Sequence, residues 1–327
     1  MARLARLLLA VALAAAVAGC TGAEPAAEDG GGHGAGPFQV LSDRRFGERG
    51  HDLLIRSPSL PSPVTVRVLL PARFEAEPER RWPVLYLLHG CCDDYQSWTR
   101  DSDVEALTKD TGLLVVMPDG GRDGFYSDWY NNGQGGPPAW ETFHLTELRQ
   151  LLESRYRAGD RRAIAGLSMG GFGALAYAAR HPGMFRFAAS FSGVVNTRSS
   201  SGQETVRQVA ANAGDDPSRI WGDIDAQSKV WAEHNPYDLA ERLRGVELMV
   251  TSGTGEPGPL DDPGDTPQLA RDIEASLSPQ NIDLRERLRQ LGIPATFDVG
   301  RPGTHTWPYW RRALHAAMPK LLAALQG

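Results

Sequence analysis

The stretch Ala163-Ile164-Ala165-Gly166-Leu167-Ser168-Met169-Gly170-Gly171-Phe172-Gly173 has the residue types and spacing for nucleophilic chemistry. It reads as a short apolar strand, a tight turn and a helix start. Ser168 sits at the turn in the pattern G-x-S-x-G. Gly166 and Gly170 lack Cβ atoms, so strand and helix can approach closely around a strained serine. The helix N-terminus behind Ser168 offers unpaired N–H groups and a partial positive charge. Both favour the anionic intermediate of acyl transfer. A serine hydroxyl is a weak nucleophile, however, and needs a nearby base held by a third group.

The turn resembles the nucleophile elbow of α/β-hydrolases, whose chain order is serine, acid, histidine. Of the eight histidines, His181, His234, His305 and His315 follow Ser168, and His181 falls at the end of the elbow helix itself. His234 precedes any plausible acid strand, and His315 falls inside a predicted helix. His305, in Gly303-Thr304-His305-Thr306-Trp307, follows the last predicted strand, where that fold delivers its base. The acid should follow the strand Val246 to Thr251. Glu256, Asp261, Asp262, Asp265, Asp272 and Glu274 are all candidates, and residue pattern alone does not rank them. An oxyanion hole needs two backbone donors. Met169 N–H, next to the nucleophile, is one. The other is assigned to Cys91 N–H in His89-Gly90-Cys91-Cys92, the loop after the strand Val84 to Leu88.

These residues need a scaffold. Val84 to Leu88 and Leu113 to Met117 are nearly continuous apolar runs, as in parallel strands buried on both faces. Val64 to Val68 alternates, as a half-exposed antiparallel strand does. Phe38 to Leu41 and Leu53 to Ser57 read as further early strands. Helical periodicity runs over 140–156, 268–291 and 307–325, and the elbow helix ends near Pro182. Alternating strands and helices imply an α/β fold: a mostly parallel central sheet with helices on both faces. Residues 196–240 interrupt the alternation and are read as an insertion over the active-site edge. The Gly- and Pro-rich loop from Glu256 to Pro267 is expected to be mobile.

Further motifs resemble the esterase D and antigen 85 branch of the α/β-hydrolases, most closely its mycolyltransferase side. They are Phe125-Tyr126-Ser127-Asp128-Trp129-Tyr130 after a Pro-x-Gly-Gly turn, Trp140-Glu141-Thr142-Phe143, Trp221-Gly222, and Gly303-Thr304-His305-Thr306-Trp307-Pro308-Tyr309-Trp310. The resemblance spans roughly residues 60–325. It implies a serine acyl-enzyme with no cofactor and no metal. It also implies Glu274 as the triad acid and Cys91 as the second oxyanion donor. Asp94, Trp98, Phe125, Trp307 and Trp310 are expected to contact substrate, whereas Trp129 and Trp140 are expected in the core. The turn Cys91-Cys92-Asp93-Asp94 departs from the longer turn of the mycolyltransferases and lacks their Arg. Hydrolysis is therefore expected to predominate over acyl transfer. The rivals are an S-formylglutathione hydrolase, a feruloyl-type esterase and a non-catalytic cell-wall binding protein.

The 327 residues are 41% hydrophobic and 23% charged with net charge −6, which gives no basic footprint for nucleic acid. Arg3 and Arg6 followed by apolar Leu7 to Val17 read as an export signal. Val17-Ala18-Gly19-Cys20 resembles a bacterial lipobox, so 1–19 is expected to be cleaved and Cys20 lipidated at a membrane. Residues 20–36 lack core-forming residues and are read as a tether, with the esterase domain at 37–327. Adjacent Cys91 and Cys92 allow either a vicinal disulfide or two thiols. An acyl ester, with a lipid or glycolipid as candidates, is the expected substrate and a monomer the expected state.

Overall fold

The computed structural model describes residues 36–262, 264 and 266–326. The leader, Cys20 and nearly all of the tether therefore lie outside the described residues.

Among the described residues, nine strands form one sheet: β1 Gln39–Phe46, β2 Gly50–Arg56, β3 Val64–Leu69, β4 Trp82–Leu88, β5 Leu114–Pro118, β6 Ala158–Leu167, β7 Phe187–Phe191, β8 Glu247–Gly253 and β9 Thr296–Arg301. Their order is β1-β2-β3-β5-β4-β6-β7-β8-β9. β1, β2, β3 and β5 pair antiparallel, and every pair from β5 to β9 is parallel. The continuous apolar runs occupy the middle, where helices cover both faces.

The period-2 alternation of β4 divides the core. Val84, Tyr86 and Leu88 join the face that carries Phe172 and Leu284, while Leu85 and Leu87 join the face that carries Leu314 and Leu321. Helices Met169–Arg180 and Gln268–Gln290 thus pack on one side, and Trp307–Gln326 packs on the other.

Between β7 and β8 run three α-helices, Ser200–Ala213, Ser218–Trp221 and Ser228–His234, and a 3-10 helix at Ala240–Leu243. The Ser199 hydroxyl caps the first by accepting from Gly202 N–H, and Gly214 ends it at φ +88°. Trp221, fully buried, packs edge-on to Phe125 at 5.3 Å and tilted on Phe172 at 5.3 Å. This segment is thereby tied to the helix that starts at the G-x-S-x-G turn.

The region from Trp140 to Arg155 is helical with a π-helical turn at Phe143–Leu148. The turn carries His144, whose ring nitrogens lie 2.9 Å from Tyr177 Oη and 2.8 Å from Asp119 O. Burial drives its pKa down to about 4, so the ring is neutral and structural. Among the described residues, no helix is long and apolar enough to cross a membrane.

Candidate active site

Ser168 follows β6 and precedes the helix Met169–Arg180, with φ 53° and ψ −119°. A non-glycine residue in that region is strained and persists only if its surroundings hold it. Here the close approach of two glycines does so. A Cβ on Gly166 would lie 2.2 Å from Gly170 O, and one on Gly170 would lie 2.4 Å from Leu88 O. Ser168 N–H also donates to Phe191 O of β7 at 2.9 Å.

The next residue after β7 leads to the acid. The Ser192 hydroxyl donates to Glu274 Oε1 at 2.8 Å, and Ser252 Oγ and Gly253 N–H donate to the same oxygen at 3.1 and 2.5 Å. Glu274 Oε2 accepts from His305 Nδ1–H at 2.7 Å. Glu274 has no exposed surface. Burial pushes its pKa up, but the His305 hydrogen bond and charge and the Ser192 and Gly253 donors outweigh that, leaving it below the ordinary carboxylate value. Among the described residues, Glu274 is thus the candidate acid that meets His305, and Asp265 lies outside them. Asp272 is exposed, on a different face of the same helix, and bonds Gln268 at 2.7 Å. With Nδ1 donating to Glu274, His305 Nε2 is left unprotonated in the neutral ring and so able to accept a proton. Among the described residues, Ser168 Oγ and His305 Nε2 are not hydrogen-bonded. In unliganded sites that bond commonly tightens only when substrate binds.

The His305 loop is clasped by the loop after β8. Gly303 N–H donates to Glu256 O at 2.7 Å, and Gly255 N–H to Gly303 O at 2.9 Å. Asp261 accepts from Gly258 N–H and Tyr309 Oη, both at 2.7 Å, and from the buried Thr304 hydroxyl. Residues 256–262 of the loop expected to be mobile are therefore pinned. Composition marked them as unable to form regular structure, but not as unable to bond a neighbouring loop.

Met169 is bonded to the serine, and the residue before Cys91 packs against it. Met169 begins the helix, where its N–H has no intrahelical partner. Gly90 packs against Ser168: a Cβ there would lie 3.2 Å from Ser168 Cβ and 2.8 Å from Leu167 Cδ1. Cys91 follows directly. Cys91 and Cys92 are free thiols. Hydrogen bonding to Cys92 and then burial push the Cys91 thiol up, and the same hydrogen bond pulls exposed Cys92 down to about 6.

The five expected substrate contacts divide. Trp98 and Phe125 have no exposed surface, and Trp310 is 7% exposed, so these three are packing residues. Trp98 lies edge-on to Trp307 at 5.3 Å, Trp307 to Trp310 at 5.3 Å, and Trp310 to His305 at 4.9 Å. This aromatic series braces the histidine, and Trp310 Nε1–H also donates to Ser192 Oγ at 3.2 Å. Their motif positions beside the site were legible, but not the direction of their side chains. Trp307 and Asp94 keep partial exposure. Sequence reasoning passed over Ser192, Ser252 and Thr304, because single hydroxyl residues carry no pattern.

Residues 57–321 match the family described as "Putative esterase". The diacylglycerol acyltransferase/mycolyltransferase Ag85B of Mycolicibacterium smegmatis is 33% identical over 252 residues, covering 74% of this chain and 77% of the relative. The crystal structure of Mycobacterium tuberculosis MPT51 (FbpC1) superposes with a TM-score of 0.69 at 23% identity, covering 89% of this chain and all of that one. An S-formylglutathione hydrolase from Agrobacterium tumefaciens gives 0.68 at 20% identity, covering 88% and 99%. The chain belongs to the "Putative esterase" family, in the esterase and antigen 85 branch of the α/β-hydrolase superfamily.

Proposed function

We propose that this chain is an exported, lipid-anchored serine ester hydrolase acting through Ser168, His305 and Glu274. The observation that carries the reading is the fully buried Glu274 carboxylate, 2.7 Å from His305 Nδ1 and joined through Ser192 to the strand beside strained Ser168. Ser168 Oγ attacks the ester carbonyl as His305 Nε2 takes its proton. Glu274 fixes the tautomer and stabilises the imidazolium. Cys91 and Met169 N–H groups receive the oxyanion. His305 returns the proton to the leaving alcohol. Water, activated by the same histidine, then resolves the acyl-enzyme. Asp94 and Trp307 face the substrate from the rim.

Export and anchoring rest on the leader and Cys20. An exported protein does not meet an intracellular glutathione thioester, which disfavours S-formylglutathione as substrate. The second reading is acyl transfer to an alcohol, favoured by the 33% identity to an acyltransferase. The shortened Cys91-Cys92-Asp93-Asp94 turn favours water as acceptor. Turnover of p-nitrophenyl esters with and without trehalose tests the choice. Free acid should dominate in both; acyl-trehalose exceeding free acid would reverse the preference.

A further inference from the structure

We infer that His89 is a positioning residue for acyl transfer, holding the Gly90–Cys91 peptide so that Cys91 N–H faces the developing oxyanion. This rests on the reading of Ser168 as nucleophile and Cys91 N–H as oxyanion donor.

His89 follows β4 and is 1% exposed. Gly120 N–H, in the loop after neighbouring β5, donates to His89 Nε2 at 2.8 Å. A backbone amide only donates, so Nε2 carries no proton and Nδ1 does. Nδ1–H then donates to Gly90 O at 2.7 Å. The carboxylate of Asp119, 3.6 Å from Nε2, favours an imidazolium. A proton on Nε2 would point at Gly120 N–H, so this arrangement requires the neutral ring. Tyr126 Oη–H donates to His89 O at 2.8 Å and fixes the backbone as well.

Gly90 O and Cys91 N–H belong to one planar peptide, so fixing the carbonyl direction fixes the N–H direction. Tethering is needed because Gly90 leaves this peptide otherwise free to rotate. Glycine is required there because the peptide lies against Ser168. A hydrogen bond at the carbonyl also polarises the N–H at the other end of the same unit. The series Gly120 N–H, His89, Gly90–Cys91 thus delivers an oriented, strengthened donor beside the nucleophile. A histidine serving only as core filler has no need to donate to this one carbonyl.

Two substitutions separate the two hydrogen bonds. In His89→Asn the amide nitrogen takes the place of Nδ1 and still donates to Gly90 O. In His89→Gln the amide reaches the place of Nε2 and meets Gly120 N–H, but the donor to Gly90 is gone. With p-nitrophenyl butyrate, His89→Gln should lower kcat about 10- to 100-fold, leave KM within about twofold and weaken phenylboronic acid binding in proportion to kcat. His89→Asn should keep kcat within about fivefold of the parent. Equal losses in both variants that track a fall in melting temperature, or an unchanged kcat in His89→Gln, would overturn the inference. Imidazole ¹⁵N–¹H correlation on the unsubstituted protein provides a check that needs no variant. His89 should be protonated at Nδ1 alone, and a proton on Nε2 would equally overturn it. Wild-type turnover in Ser168→Ala would instead bring down the underlying reading.

Discussion

Glu274 is a carboxylate that burial alone would neutralise, kept charged by donors on one oxygen and an imidazole on the other. An amide in its place keeps the shape, loses the charge and permits the wrong histidine tautomer. Glu274→Gln should therefore lower kcat about 1,000- to 10,000-fold, whereas exposed Asp272→Asn stays near the parent. Steady-state kinetics at fixed pH checks this, and collapse in Asp272→Asn alone would move the role. Because the folded-state pKa of Glu274 lies below the ordinary value, its ionised form adds stability above the unfolded carboxylate pKa. That contribution is lost as pH falls through the lowered value. At this scale Ser168 and His305 were legible, because a turn motif and a loop after the last strand each leave a local pattern. Glu274 was not separable by residue pattern alone and needed the family spacing. Its selection depends on Ser192, Ser252 and His305, which are remote in sequence and meet it only through the fold.

The elements that carry these residues are tied at their ends. The loop after β8 looks from composition like a free linker, yet Asp261 joins it to Thr304 and Tyr309 on either side of His305. Removing a carboxylate that satisfies buried donors costs about 1–3 kcal/mol. Asp261→Ala should therefore lower the melting temperature and reduce kcat, but by much less than Glu274→Gln. Thermal denaturation with kinetics on the same preparation decides; a loss as deep as that of Glu274→Gln would give Asp261 a direct part in the chemistry. The parallel strands were readable from apolar runs, since burial on both faces removes polar positions. The inward turn of Trp98 and Phe125 was not readable. An aromatic beside a site has the same sequence signal whether it lines the cleft or braces it, and here both are fully buried.

For the whole molecule, the sheet places β6, β7, β8 and β9 side by side, so four successive loop ends meet at one edge. That order converts a serine at one strand end, an acid after another and a histidine after the last into neighbours. The proposed export signal and lipidated Cys20 would set where the molecule works. If the lipobox reading holds, mass spectrometry of the mature N-terminus finds diacylated Cys20, and Cys20→Ser releases the protein from the membrane fraction. An unmodified Cys20 in the mature protein contradicts it. The most direct measurement of the central claim is the intact mass of the protein after exposure to a fluorophosphonate, with the adduct mapped by peptide sequencing. The account predicts one adduct, on Ser168, with neither labelling nor esterase turnover in a folded Ser168→Ala variant. A labelled and active Ser168→Ala protein would contradict it.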